Sequence, residues 1–310
     1  MAEKISIIGA AGTLGSCAAY AIATNGLADE LVLLDINENL TKCHVMDLET
    51  AVTGIQNVRI KAGTYEDLVG SHVIINAAGA PWRFITSRME LLNDSMPITR
   101  KIAENVVKFC PDAVIITATN PVDPLNYAIY RITGMDRKRL LGYSLNDSFR
   151  FRMMAARLLK VDSTRVDGVV VGEHGPHQVM LFSSLRVDGK QRKIDPADKQ
   201  QIREEIPKAL HAYESLRTSR TTGWTSAVGL SAIASAIIND TGEVFPCSVV
   251  LDGEYGYQGM SASLPVGLGK DGWRDPLPLE MEPEEETAFS ESMDYLRDTA
   301  RGIEEILAGQ

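Results

Sequence analysis

The first part of the chain alternates short, nearly unbroken apolar runs with stretches of helical spacing. "KISIIG" (4–9), "LVLLD" (31–35), "VRIKAG" (58–63), "HVIINAAG" (72–79) and "AVIITATN" (113–120) read as strands. Runs this apolar suit a parallel sheet covered on both faces. Between them, "GTLGSCAAYAIATNG", "NENLTKCHVMDLETA" and "SMPITRKIAENVVKFC" carry helical periodicity. Strands alternating with helices predict right-handed crossovers and a doubly wound α/β sheet.

From about residue 145 the pattern changes. A helix over roughly 145–160 leads into "RVDGVVVGEHG" and "QVMLFSSLRVDG", two runs able to pair antiparallel. Asp195-Pro196 opens a helix through Leu216, with proline at the first helical position. Near the end, Glu282-Pro283 and three further glutamates open another helix. Its Phe289, Met293, Leu296, Ala300, Ile303 and Leu307 fall on one face. The division predicted is 1–144 and 145–310, with no linker, repeat or low-complexity stretch between the two parts. They are expected to pack as one body.

Composition narrows the class. Across 310 residues, 45% apolar and 23% charged content is that of an ordinary globular protein. A net charge of -10 argues against a nucleic-acid or anionic-membrane surface. No apolar run approaches the roughly 18 residues of a membrane span. Cys17, Cys43, Cys110 and Cys247 lack metal-ligand spacing and read as buried or inert thiols in a reducing cytoplasm. No metal is expected.

Two short stretches carry candidate chemistry. In "IIGAAGTLG", Gly9, Gly12 and Gly15 lie between a strand and a helix, with Ala10 and Ala11 where a stricter motif has its second glycine. Small residues there let backbone approach a pyrophosphate at a helix N-terminus, although glycine also serves turns for geometry alone. Asp35 ends the next strand, where a carboxylate accepts both hydroxyls of an adenosine ribose and repels a 2′-phosphate. That predicts NAD rather than NADP; the plainer reading is a helix N-cap before Asn37.

The second stretch is "VVVGEHGPH", with His174 directly after an apolar strand and flanked by Gly172 and Gly175. A proton-accepting imidazole needs a carboxylate on its other nitrogen to fix the tautomer. "NDSFRFR" offers Asp147, with Arg150 on the same helix face. Spacing alone does not join Asp147 to His174, and a surface Asp–Arg pair contributes little.

The set "GAAGTLG", "LLD", "SR" with "ELL", "TNPVD", "NDSFRFR", "GEHG" and "PCSVVLDGEYG" resembles the lactate/malate dehydrogenase family, in order and over nearly the whole chain. The resemblance implies a Rossmann domain followed by an α/β catalytic domain, in homodimers or homotetramers. It implies that His174 exchanges the substrate proton, Asp147 orients it, Arg150 forks onto the substrate carboxylate, and Arg88 polarises the C2 oxygen. Asn120 would bond the substrate oxygen near the nicotinamide ribose, and Thr225 would line the pocket. Gly9, Gly12, Thr13, Leu14, Gly15, Asp35, Gly79 and Asn120 would hold the cofactor.

The same resemblance makes "GAPWRFITSR" (79–88) a lid that closes over substrate and excludes water. One lid position usually selects the substrate, Arg for malate and Gln for lactate. An ungapped count from Arg88 puts Trp82 there, with Arg83 next to it; the usual Pro-Gly is replaced by Phe84-Ile85. Arg83 turned inward would meet the second carboxylate of malate, the favoured substrate. Trp82 turned inward would favour lactate or another small apolar 2-hydroxy acid, and a sulfonate is a third option. Arg83 could also simply solvate the lid. A non-catalytic NAD-binding sensor is the alternative of another class. The short-chain dehydrogenase reading falls, because no YxxxK pair is present.

Overall fold

The computed structural model describes residues 3–80, 88–218 and 220–309, without the side chains of residues 88–90 and 214. Six strands form the parallel half of one sheet: β1 (Lys4–Ile8), β2 (Glu30–Leu34), β3 (Arg59–Ala62), β4 (Val73–Asn76), β5 (Val114–Thr117) and β6 (Leu140–Tyr143). Their spatial order is β3-β2-β1-β4-β5-β6. The order reverses between β1 and β4, which opens a crevice at the carboxyl ends of these strands. Helices α1 (Thr13–Thr24), α2 (Glu38–Val52), α3 (Arg88–Phe109) and α4 (Val122–Thr133) make the connections. Ile5, Ile7, Leu31, Leu33, Val73 and Ile75 are buried on one sheet face, and Ile8, Val32, Ile74 and Ile115 on the other. Strands β2, β4 and β5 are largely apolar on both alternations for that reason, whereas the edge strand β3 alternates Ile60 with Arg59 and Lys61.

The second half continues the sheet. Strand β10 (Val244–Asp252) pairs antiparallel with β6, and β11 (Gln258–Gly269) follows it. Then come β7 (Val166–Gly172), β8 (Gln178–Val187) and β9 (Lys190–Gln191), with β12 (Gly272–Pro276) paired to β11. The two expected runs do pair as β7 and β8, through Val170↔Met180 and Val171↔Val179. Around them pack α5 (Leu145–Leu159), α6 (Pro196–Ser215), α7 (Gly223–Ile238) and α8 (Pro283–Ala308). On α8, Phe289, Met293, Leu296, Ala300 and Ile303 are buried, and Leu307 packs against the same core.

The main departure from the sequence reading is α3. Its helical pattern begins at Ser95, yet the helix starts at Arg88 and runs through Pro97. An interior proline costs a backbone hydrogen bond. Burial of Leu92 and Met96 on the turns before it offsets that loss.

Placement of α5 decides the position of the site. Phe151 is fully buried and meets Phe182 edge to face, with ring centroids 5.1 Å apart. A Cβ at Gly168 of β7 would come within 2.8 Å of the Phe151 ring, so glycine there lets strand and helix close up. The Val170 N–H donates to Ser148 Oγ at 2.9 Å and fixes the register. Losing the Phe151 ring would cost about 3–5 kcal/mol. The first turn of α5 therefore stands beside the end of β7.

Candidate active site

Sheet register brings the cofactor candidates together. Ile8 pairs with Asn76, and Asn76 with Thr117, so the turns after β1, β4 and β5 leave the sheet side by side. They carry Gly9 to Gly15, Gly79 and Asn120. Their packing excludes side chains: a Cβ on Gly9 would lie 2.5 Å from Ala78 N, and one on Gly15 2.2 Å from Gly9 O. One on Gly79 would lie 2.1 Å from Thr119 Oγ1. Gly12 is the N-cap of α1 and offers no capping side chain, so the N–H groups of Thr13 and Leu14 begin the helix without one.

Asp35 is tied to this turn. Its Oδ2 accepts from Ala11 N at 3.0 Å and its Oδ1 from Asn37 N at 2.9 Å. The N-cap of α2 is Asn37, which accepts from Leu40 N, so the plain capping reading of Asp35 does not hold. Each Asp35 oxygen keeps a second lone pair for a ribose hydroxyl. A glycine cradle at a helix N-terminus with a carboxylate at the end of the second strand fits a dinucleotide without a 2′-phosphate.

The candidate proton-handling residues converge from α5 and the β7–β8 turn. His174 follows Gly172, whose φ is +82° and whose Cβ would strike Ser292 Oγ at 2.4 Å. Only glycine suits that position. The His174 ring meets Asp147 through Nδ1 to Oδ2 at 2.6 Å. The other Asp147 oxygen accepts from Arg150 at 2.9 Å. Asp147 has 6% of its side chain exposed and Arg150 19%, which sets this pair apart from a surface ion pair. With Nδ1 engaged, Nε2 is the nitrogen left to exchange a proton. Burial alone would disfavour the imidazolium, but Asp147 and then Asp123 outweigh it, holding the His174 pKa above its ordinary value.

Several neighbours were not singled out by the sequence. Asp123, in the first turn of α4, accepts from the His174 N–H at 2.7 Å. Burial pushes its carboxyl upward. Tyr143 donates to Asn146 Oδ1 at 2.7 Å, and Asn146 Nδ2 donates to Ser226 Oγ at 2.8 Å. Glu173 is buried and accepts from His177 N at 2.7 Å. Asp123 stands inside the "TNPVD" stretch, but an acid in a first helical turn is common; its burial was the missing signal.

Thr225 lies exposed in the first turn of α7, and its carbonyl accepts from Tyr143 at 3.4 Å. The Tyr143–Asn146–Ser226 chain thus links the Thr225 turn to the helix carrying Asp147. Trp82, Arg83 and the rest of the lid from 81 to 87 lie outside the described residues, as does the Arg88 side chain. The four cysteines are free thiols; Cys110 and Cys247 are buried, Cys17 half-buried, and Cys43 exposed rather than buried. Among the described residues no His, Cys, Asp and Glu cluster could hold a metal, and no helix is long and apolar enough to cross a membrane.

Comparison with known proteins accords with this geometry. The lactate/malate dehydrogenase NAD-binding domain matches residues 3–142, and the family's alpha/beta C-terminal domain matches residues 145–307. The chain belongs to the lactate/malate dehydrogenase family. It is 36% identical over 298 residues to a malate dehydrogenase of Natronomonas pharaonis, covering 95% of this chain and 97% of that protein. It is 33% identical over 313 residues to an L-lactate dehydrogenase of Bacillus anthracis, covering 97% and 98%. A lactate dehydrogenase structure from Cryptosporidium parvum, complexed with lactic acid and nicotinamide adenine dinucleotide, superposes with TM-score 0.92 at 28% identity, covering 98% of each chain. This dehydrogenase is an NAD-dependent enzyme acting on a small 2-hydroxy or 2-oxo acid.

Proposed function

We propose that this dehydrogenase interconverts malate and oxaloacetate. The observation that carries the reaction is the Asp147–His174 contact of 2.6 Å, with His174 tied through Asp123 to the helix that follows the Asn120 turn. Preference for malate is supported by relatives named malate dehydrogenase at 33–37% identity, from Haloarcula marismortui to Halobacterium salinarum. A reading as lactate dehydrogenase has its own support in relatives of that name and in Trp82, which stands at the ungapped selectivity position.

In this reading residues 1–144 hold the cofactor and 145–310 the substrate. His174 Nε2 takes the hydroxyl proton in oxidation and returns it in reduction, while Asp147 fixes the ring and stabilises its cation. Arg150 binds the C1 carboxylate, its planar fork suiting two oxygens. Arg88 stabilises the charge growing on the C2 oxygen. Asn120 bonds that oxygen, and Thr225 lines the pocket. Bound NAD supplies the hydride acceptor at its nicotinamide ring. Gly9, Gly12, Thr13, Leu14 and Gly15 hold its pyrophosphate, Asp35 its adenosine ribose, and Gly79 with Asn120 its nicotinamide half.

Arg83 meets the second carboxylate. An inward guanidinium with no anion would be a buried unpaired charge costing several kcal/mol. The protein is cytoplasmic and a homodimer or homotetramer. Exposed Tyr20, Met46, Trp224 and Val228, on α1, α2 and α7, with α1 packed against each of the other two helices, supply apolar surface for a second copy. Light scattering on the purified protein tests that assembly.

The deciding experiment is NADH oxidation against oxaloacetate, pyruvate, bulkier 2-oxo acids and sulfopyruvate. A kcat/KM for oxaloacetate at least about tenfold above the others supports the assignment. Preference for pyruvate or sulfopyruvate replaces malate with that class, and no turnover with any of them returns the chain to a non-catalytic NAD sensor.

A further inference from the structure

The catalytic histidine is gripped at two points, and only one of them is its ring. Asp123 takes the His174 backbone N–H at 2.7 Å while Asp147 takes the ring nitrogen at 2.6 Å. Asp123 has 2% of its surface exposed, an unusual setting for a carboxyl whose one named bond is to a neutral amide. It lies in the first turn of α4, directly after the turn carrying Asn120. One side chain therefore joins the turn proposed for the substrate oxygen to the turn proposed for its proton.

Hydroxyl groups lie near its other oxygen. Asn126 Nδ2 donates to Ser261 Oγ at 3.0 Å, and Ser261 Oγ lies 2.9 Å from Ser248 Oγ. Ser248 favours the charged carboxylate, but burial acts more strongly the other way. Asp123 Oδ1 makes no hydrogen bond among the described residues. The bond from the His174 N–H is therefore what holds this buried carboxyl to the site.

We propose that Asp123 is a positioning residue of the reaction: buried between α4 and the turn after β7, it sets the place of His174 by accepting its backbone N–H. Asp147 fixes the ring's tautomer; Asp123 fixes the position of the turn that carries the ring. This inference rests on the reading of His174 as the acid–base group.

Asp123→Asn keeps an oxygen for the His174 N–H, whereas Asp123→Ala removes it. For 2-oxo acid reduction, the Asn variant is expected to keep kcat within about threefold of the parent enzyme. NADH affinity should stay within about threefold in both variants, because the side chain holds His174 rather than the glycine turn. The Ala variant should lose about a further tenfold in kcat, which Asn restores. An Asp123→Asn enzyme that melts like the parent yet loses more than about tenfold in kcat overturns the proposal, as does a folded Asp123→Ala with parental kcat. A parent enzyme whose turnover survives His174→Asn instead overturns the acid–base reading itself.

Discussion

Asp147 and His174 are 27 positions apart in sequence, yet Oδ2 and Nδ1 stand 2.6 Å apart. The contact is made by packing rather than by neighbourhood. Phe151, one helical turn after Asp147, is buried against Phe182, and Gly168 allows β7 to approach that ring. Gly172 then turns the chain with φ +82° so that His174 faces back toward α5. A carboxylate held at one imidazole nitrogen leaves the other to trade a proton.

Asp147→Asn should therefore retain the fold and lose turnover. An amide at this position is free to donate to Nδ1 and thereby impose the wrong tautomer, so a loss of roughly 10²–10⁴ in kcat is expected. Steady-state kinetics with a thermal melt of the same sample checks it. Turnover within a factor of about three of the parent would remove the tautomer argument.

The raised pKa of His174 has a defined sign. Reduction of the 2-oxo acid uses the protonated ring, so kcat/KM in that direction should be level at low pH. It should fall about tenfold per unit above a midpoint higher than the ordinary value of 6.5. Oxidation of the hydroxy acid should show the mirror profile. The linked stability term is complete below 6.5 and is lost as pH rises through the higher folded value. A midpoint below 6.5 in the reductive direction would contradict the electrostatic assignment.

At the dinucleotide turn, Gly15→Ala puts a methyl 2.2 Å from Gly9 O, with backbone on the far side. The turn must open, at an expected cost on the order of 1–3 kcal/mol. NADH fluorescence titration should give binding weakened by at least about tenfold. A variant with parental affinity and melting temperature would show the close approach to be dispensable.

Asp35→Ala removes the carboxylate that would repel a 2′-phosphate and also frees Ala11 N. The ratio of kcat/KM for NADH over NADPH should fall by about tenfold or more. An unchanged ratio would assign the discrimination elsewhere.

Much of the first half was legible because a parallel sheet buries both faces of its strands, and "KISII" or "VIIN" leaves little else to be. The four-residue β6, "LLGY", was not legible: its identity as a strand comes from β5 on one side and β10 on the other. The early start of α3 was hidden for a similar reason, since burial of Leu92 and Met96 overrides the local signal of Pro97. Within the site, His174 was readable from its glycines and Asp147 from its helix. Their meeting was not, because it depends on Gly168 yielding space to Phe151. Asp123 was missed because an acid near a helix start looks ordinary until its burial is known.

The most direct measurement is pre-steady-state and steady-state NADH oxidation by His174→Asn beside the parent enzyme, with NADH affinity determined on both. The expected result is NADH affinity within about threefold and turnover lowered by at least roughly 10²–10³. A variant that binds NADH and turns over 2-oxo acid at the parental rate would contradict the account, because no imidazole would then be needed to move the proton.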